Sequence, residues 1–208
     1  MRRTKEDAEQ TRQTILQAAR TEFMTNGVAN TTLDQVAKAA GVTRGAVYWH
    51  FANKNELFEA LRDSVNLPLH DTMEQPAEDS ATCDALDQVQ ARLQEVMRLV
   101  EQDISIREMC SIMTYKCEYV GELESQLIAH SECLNEKIAR CTDDYERAQK
   151  QGLLAEGLIP RFLAIESVMF IGGLLRMSLL DKQKNIVPED YRQLISHHVM
   201  ARRHQSRK

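Results

Sequence analysis

The sequence predicts an all-α protein of about nine helices. Apolar residues recur three and four apart along most of the chain, the period of a helix with one buried face. Aromatics make up only 5% of the residues while Met, Leu and Ala are common, a balance that favours helices over sheets. The 208 residues, 43% of them hydrophobic, suffice for a small amino-terminal unit and a helical body that buries its own core.

The first helix is expected over about Glu6 to Thr25, with Ile15, Leu16, Ala19 and Phe23 as its apolar stripe, and Gly27 closes it. Arg2, Arg3 and Lys5 form a basic lead-in. Thr32 and Gln35 have the spacing of a capping box, and Leu33, Val36, Ala37 and Ala40 give the second helix one apolar face. Gly41 supplies the left-handed residue that ends it. Thr43 caps the third helix, in which Val47 and Phe51, four apart, face inward. Asn53 starts the fourth, with Glu56 as its capping partner and Leu57, Phe58, Leu61 and Val65 inward; Pro68 then breaks or kinks it. Pro76 to Thr82 reads as a loop. Further helices are expected over Asp84 to Glu101, Ile104 to Glu118, and Glu122 to Gln151, the last closed by Gly152. Gly157 and Pro160 punctuate the next connection. Leu163 to Leu180 is apolar on more than one face, and Asp190 to about Arg203 is the final helix. Its basic tail of Arg202, Arg203, Arg207 and Lys208 is expected to fray.

Helix, short glycine turn, helix over residues 32–54 is the grammar of a helix-turn-helix. The second motif helix leaves Thr43, Arg44, Tyr48, His50 and Lys54 outside. Such a helix puts its first residues, here Thr43, Arg44, Gly45 and Ala46, into the major groove. Arg bonds a guanine edge through two donors, and an Ala methyl touches a thymine methyl. Tyr48, His50 and Lys54 suit phosphate contacts, which position without reading sequence. Thr32 completes the candidate DNA-binding set. The competing reading is a solvated polar face on an ordinary helical domain.

The segment GVTRGAVYWHFANK resembles the signature of the TetR family of transcriptional repressors. The opening RRTKEDAEQTRQTILQAA and the later YKCEYV (residues 115–120) are similar to the AcrR-type branch, which represses multidrug efflux operons. The resemblance implies a TetR-like fold. Residues 1–54 would be a three-helix helix-turn-helix DNA-binding domain, and 55–208 a helical ligand-binding and dimerisation domain. It implies a homodimer on a palindromic operator, paired through the last two helices. Ile165, Val168, Met169, Gly172, Leu175, Arg176 and Leu179 would form one layer, and Tyr191, Leu194, Ile195, His198 and Val199 a second. It also implies a pocket for hydrophobic inducers. By matching position the candidates are Leu93, Val96, Cys110, Met113, Thr114, Cys141, Met169 and Ile171, although such a stripe is also what a plain core looks like. Glu118 and Glu166 either attract cationic compounds or serve as solvated or paired carboxylates.

Charge agrees with this division. The net −5 separates into about +2 over residues 1–62, with nine Lys/Arg against seven Asp/Glu, and about −7 over the remainder. A modestly basic end attracts phosphate. The charged start has no secretory apolar segment. The sequence shows no run of about 18 uninterrupted apolar residues, so a cytoplasmic bacterial protein without a membrane partner is expected. Five cysteines at irregular spacing suggest reduced thiols. No Cys/His cluster points to a metal, and no cofactor is expected. No phosphate-binding glycine loop, H-E-x-x-H or nucleophile elbow is present, which argues against an enzyme. The expected function is repression of an RND-type multidrug efflux operon, relieved by hydrophobic drug-like inducers. The alternative is a redox-sensing regulator acting through its cysteines.

Overall fold

The computed structural model describes residues 5–74, 84–181, 186, 187 and 190–204. Among them are nine α-helices and no strand. They are α1 (Lys5–Asn26), α2 (Leu33–Ala39), α3 (Arg44–His50), α4 (Lys54–Glu74), α5 (Ala85–Gln102), α6 (Ile104–Tyr115), α7 (Glu124–Lys150), α8 (Pro160–Leu180) and α9 (Tyr191–Met200). A 3-10 turn, Gly121–Leu123, precedes α7. The expected loop at 76–82, Cys83, and the tail residues Arg207 and Lys208 lie outside the described residues, as do Arg2, Arg3 and the side chain of Val65.

The chain falls into two compact units, Met1–Leu67 with Ile104–Ile128 and Pro68–Asp103 with Ala129–Lys208. In the first, α1 packs on α2 and α6, and α2 on α3. Ile15, Ala19 and Phe23, spaced four apart, are fully buried, as are Val28, Val36, Val47, Leu57 and Phe58. The rings of Phe23 and Phe58 lie 6.2 Å apart. Ile106, Met109 and Ile112 present the buried face of α6. The buried Gln126 accepts from Arg62 at 2.5 Å and donates to Asn55 at 2.9 Å. These bonds tie the start of α7 to α4.

In the second unit, α5 packs on α8 and α9. Its core includes Leu86, Met97, Tyr145, Ala164, Tyr191, Ile195 and Val199. Three polar groups cross this core. Ser167 lies 2.8 Å from the Tyr145 hydroxyl and 3.0 Å from His198 Nε2, and His198 stacks on Phe170 at 4.1 Å.

Helix starts and stops follow local chemistry. Asp84 caps α5 by accepting from Leu86 and Asp87, both at 3.0 Å, and Asn53 accepts from Glu56 at 2.9 Å at the head of α4. Gly27, Gly41 and Gly152 carry the positive φ that ends their helices.

Three expectations are corrected. Helix α4 runs through Pro68 to Glu74. Pro68 therefore removes one backbone bond without breaking the helix, though the division between the two units falls there. Tyr191, Ile195 and Val199 belong to the chain's own core and not to an outer layer. Arg202 and Arg203 are held in place. Arg202 donates to Glu166 at 3.0 Å, and Arg203 to Asp84 at 2.5 and 3.0 Å and to Asp87 at 2.9 Å. The Arg202 carbonyl accepts from Ala155 at 3.0 Å and the His204 amide donates to Leu153 at 2.6 Å, so these bonds and the attraction to the carboxylates at the head of α5 override the tendency of a terminus to fray. Separately, α8 is long and apolar enough to cross a membrane by length and composition alone, with a mean hydropathy of 1.7 over 18 residues. Polar residues such as Glu166 interrupt the run and lower that average, which stays high because their neighbours are strongly apolar.

The Arg203 tie has a pH signature. Donation from Arg203 is the main cause that holds the Asp84 carboxyl below its ordinary value of 3.8. A carboxyl depressed in the folded state stabilises above its unfolded pKa, and that stabilisation disappears as pH falls through the folded value. Arg203→Ala should cost roughly 1 kcal/mol near neutrality. The gap from the parent should close in acid, below about pH 4, when urea unfolding is followed against pH.

Candidate nucleic-acid interface

Helix α3 has seven residues and owes its position to its flanks. Thr43 accepts from the Ala46 amide at 3.2 Å, and Val47 and Phe51 are 0% and 3% exposed. Arg12 lies over the Phe51 ring at 5.5 Å. At the head of α2, Thr32 and Gln35 form the full capping box, with the Thr32 amide donating to Gln35 at 2.7 Å and the Gln35 amide to Thr32 at 3.2 Å. Thr32 and Thr43 are exposed, but both hydroxyls serve the helix starts.

With Val47 and Phe51 buried, the outward arc of α3 is Arg44, Gly45, Tyr48 and Trp49, and Ala46 and His50 sit at its edges, half-buried. Arg44 bonds Asp34 of α2 at 3.0 Å through Nε, donates to the Tyr48 hydroxyl at 3.4 Å and lies over that ring at 5.2 Å. The Tyr48 hydroxyl, then the Asp34 charge, push the Arg44 pKa up, so the guanidinium is cationic throughout. Lys54 is turned inward: its ammonium donates to the Ala29 carbonyl at 3.1 Å and meets Glu122 at 3.5 Å. Arg44, Gly45, Tyr48 and Trp49 thus form one exposed set, with Lys54 holding the turn before α2.

Two residues escaped sequence reasoning. Trp49, the only tryptophan, is 73% exposed and meets His50 edge-on at 4.5 Å. Its place outside the Val47–Phe51 stripe was the available signal. Asp34 is ten residues from Arg44, and no local period links them.

The eight candidate inducer residues divide between the units. Cys110, Met113 and Thr114 are half-buried on α6 in the first. Leu93 and Cys141 are in the core of the second, with Ile171 packed against it; Val96 is half-buried, and Met169 is 70% exposed on α8. Glu118 is exposed and Glu166 is paired with Arg202, which favours the plain ionic reading of both. Burial pushes the Cys117 thiol up to about 11 and Cys141 to about 12. Those values starve thiolate chemistry at neutral pH.

A capped helix-turn-helix with an exposed cationic and aromatic face defines a DNA-binding regulator. Residues 15–61 match the family of bacterial regulatory proteins, tetR family, and residues 84–200 match the MAATS-type transcriptional repressor, C-terminal region. The HTH-type transcriptional regulator TtgR of Pseudomonas putida is 34% identical over 86% of this chain and 85% of its own. NalD, the secondary repressor of the MexAB-OprM multidrug efflux pump in Pseudomonas aeruginosa, superposes with a TM-score of 0.82 at 30% identity, over 98% of this chain and all of its own. The SmeT–triclosan complex gives 0.77 at 28% identity over 94% and 93%. This chain belongs to the TetR family. It is a transcriptional repressor and not an enzyme, and its relatives regulate multidrug efflux operons. Repressors of this family bind DNA, act as dimers and take small-molecule ligands.

An exposed indole reports on its own surroundings. Trp49 fluorescence should be red-shifted and readily quenched by acrylamide in the free protein. Adding duplex DNA should protect it, and the protection should weaken steeply with salt as counterion release diminishes. Emission indifferent to DNA at low salt would place Trp49 outside the interface.

Proposed function

We propose that the chain represses a multidrug efflux operon of the RND type in the bacterial cytoplasm, binding a palindromic operator as a homodimer. Residues 1–54 act as the DNA-binding domain and 55–208 as the ligand-binding and dimerisation domain. The exposed arc of α3, with Arg44 at its head, carries the reading. Arg44 reads a guanine edge and Ala46 packs on a thymine methyl. Gly45 sets the backbone approach, Tyr48 and His50 supply the phosphate contacts with Trp49 beside them, and Thr32, Thr43 and Lys54 support them from the helix starts and the turn before α2. NalD's recorded role at a multidrug pump supports the efflux target.

The outer face of α8 supports the dimer. Phe162, Met169, Met177 and Leu180 are exposed there. A Cβ on Gly172 or Gly173 would meet nothing within 4 Å among the described residues. An apolar helix face with two small residues favours close approach of a second copy, and a palindrome requires a two-fold protein. That role also accounts for a membrane-length hydropathy in a DNA-binding chain.

On a duplex selected by the wild-type protein from a randomised pool, Arg44→Ala should cost about 1–3 kcal/mol and relax preference at one position. Tyr48→Phe should weaken binding to all duplexes alike. Unchanged affinity and preference in both variants would refute the assignment of α3.

Release by hydrophobic compounds is supported by the triclosan complex of SmeT and by the apolar candidates Leu93, Val96, Cys110, Met113, Thr114, Cys141, Met169 and Ile171. A ligand that prefers the non-operator form 100-fold shifts binding by about 2.7 kcal/mol. Triclosan and hydrophobic antibiotics should therefore bind by calorimetry and lower operator affinity over the same concentrations. Ile171→Trp should block that response and spare DNA binding. Release by oxidant, with no response to any such compound, would replace this reading with redox control.

A further inference from the structure

We propose that Asp34 is a positioning residue for base reading: its carboxylate reaches across the helix-turn-helix and holds the Arg44 guanidinium against Tyr48, ready to meet a guanine edge. The proposal rests on the reading of Arg44 as the base-contacting residue.

The geometry is a two-sided clamp. A guanidinium has five N–H donors in a rigid planar fork. Asp34 Oδ1 takes the Nε edge at 3.0 Å, and the Tyr48 ring lies 5.2 Å from Cζ. The Nη2 contact to the Tyr48 hydroxyl is long, at 3.4 Å. Nη1 and the remaining Nη2 hydrogen are therefore left for a paired acceptor, the pattern that guanine O6 and N7 present in the major groove.

The pair does little for the fold. Its side chains are 67% and 55% exposed, and exposed ion pairs contribute little stability. Its effect is on the bound state. An unheld Arg samples many rotamers, and ordering it at the interface costs affinity. A carboxylate beside the reading head also repels phosphate, so it penalises duplexes that offer Arg44 no guanine in return. Both effects raise the ratio of operator to non-specific binding. Asp34 also stands in the first turn of α2, where an acidic residue favours the helix. That plain structural role predicts a different outcome.

The test uses the full chain with Asp34→Asn and Asp34→Ala, each also combined with Arg44→Ala. Binding is measured to the pool-selected duplex, to the same duplex with each guanine replaced in turn, and to an unrelated duplex. Either Asp34 variant should lower the operator-to-unrelated ratio by about tenfold, the scale of one charge-assisted contact. The loss should fall at the guanine where Arg44→Ala also loses, and it should vanish in the Arg44→Ala background. Thermal unfolding identifies any variant that fails to fold, and Asp34→Asn, which keeps the side-chain volume, then carries the test. An unchanged ratio, or an equal loss in the Arg44→Ala background, overturns the proposal while leaving the reading of α3 intact. If Arg44→Ala alone changes no base preference, that reading falls and Asp34 with it.

Discussion

The DNA-binding half of the molecule depends on the burial of Val47 and Phe51. A helix of seven residues is far too short to persist alone in water. What holds α3 is the insertion of these two side chains into the core shared with α1 and α2, together with the Thr43 cap. Burial fixes the rotation of the helix about its axis. Once that rotation is set, Arg44, Gly45, Tyr48 and Trp49 have only one side left to occupy. The chemistry of the exposed arc is thus a by-product of the packing beneath it. A core change at Val47 would disturb the base reading proposed for this arc without touching any polar group.

The features legible in the sequence were those written locally. Capping boxes, glycine stops and four-residue apolar spacing located nearly every helix to within a few residues, and α5 begins next to the Asp84 at which its apolar period started. The buried stripe of α1 and the inward pair of α3 follow from the same periodicity. What escaped depends on partners distant in the chain. Arg202 and Arg203 look like a loose basic tail until Glu166, Asp84 and Asp87 are brought to them. Tyr191, Ile195 and Val199 could face a partner or the chain's own core, and spacing alone cannot distinguish the two. Asp34 and Arg44 lie on separate helices joined by a turn. Pro68 was weighed by its local cost, which α4 tolerates. The inducer candidates were carried by resemblance, and Met169 on the outer face of α8 illustrates how little apolar character says about which side of a helix a residue takes.

Hydropathy misled in an instructive way at α8. The helix buries Leu163, Ala164, Ser167 and Leu174 inside the chain and leaves Phe162, Met169 and Met177 outside. Lipid, a partner helix and a folded core all reward the same residues. Glycines with open space over them and a fully buried serine hydroxyl on the opposite side are features that an average over eighteen residues erases.

The Tyr145–Ser167–His198 group has a consequence for how the repressor responds to acid. Burial, then the Arg202 charge, hold His198 down to about 4, and burial, ahead of its other influences, lifts Tyr145 to about 12. Neither group changes charge in the folded protein across the pH range of living cells. The unfolded chain is different, because a free imidazole binds a proton near 6.5. Protons are therefore taken up preferentially by the unfolded form, and stability drains away between about 6.5 and 4. Inside the fold, the histidine set into the second unit is deaf to pH. Acid thus weakens the fold, but this network gives the folded molecule no graded proton signal.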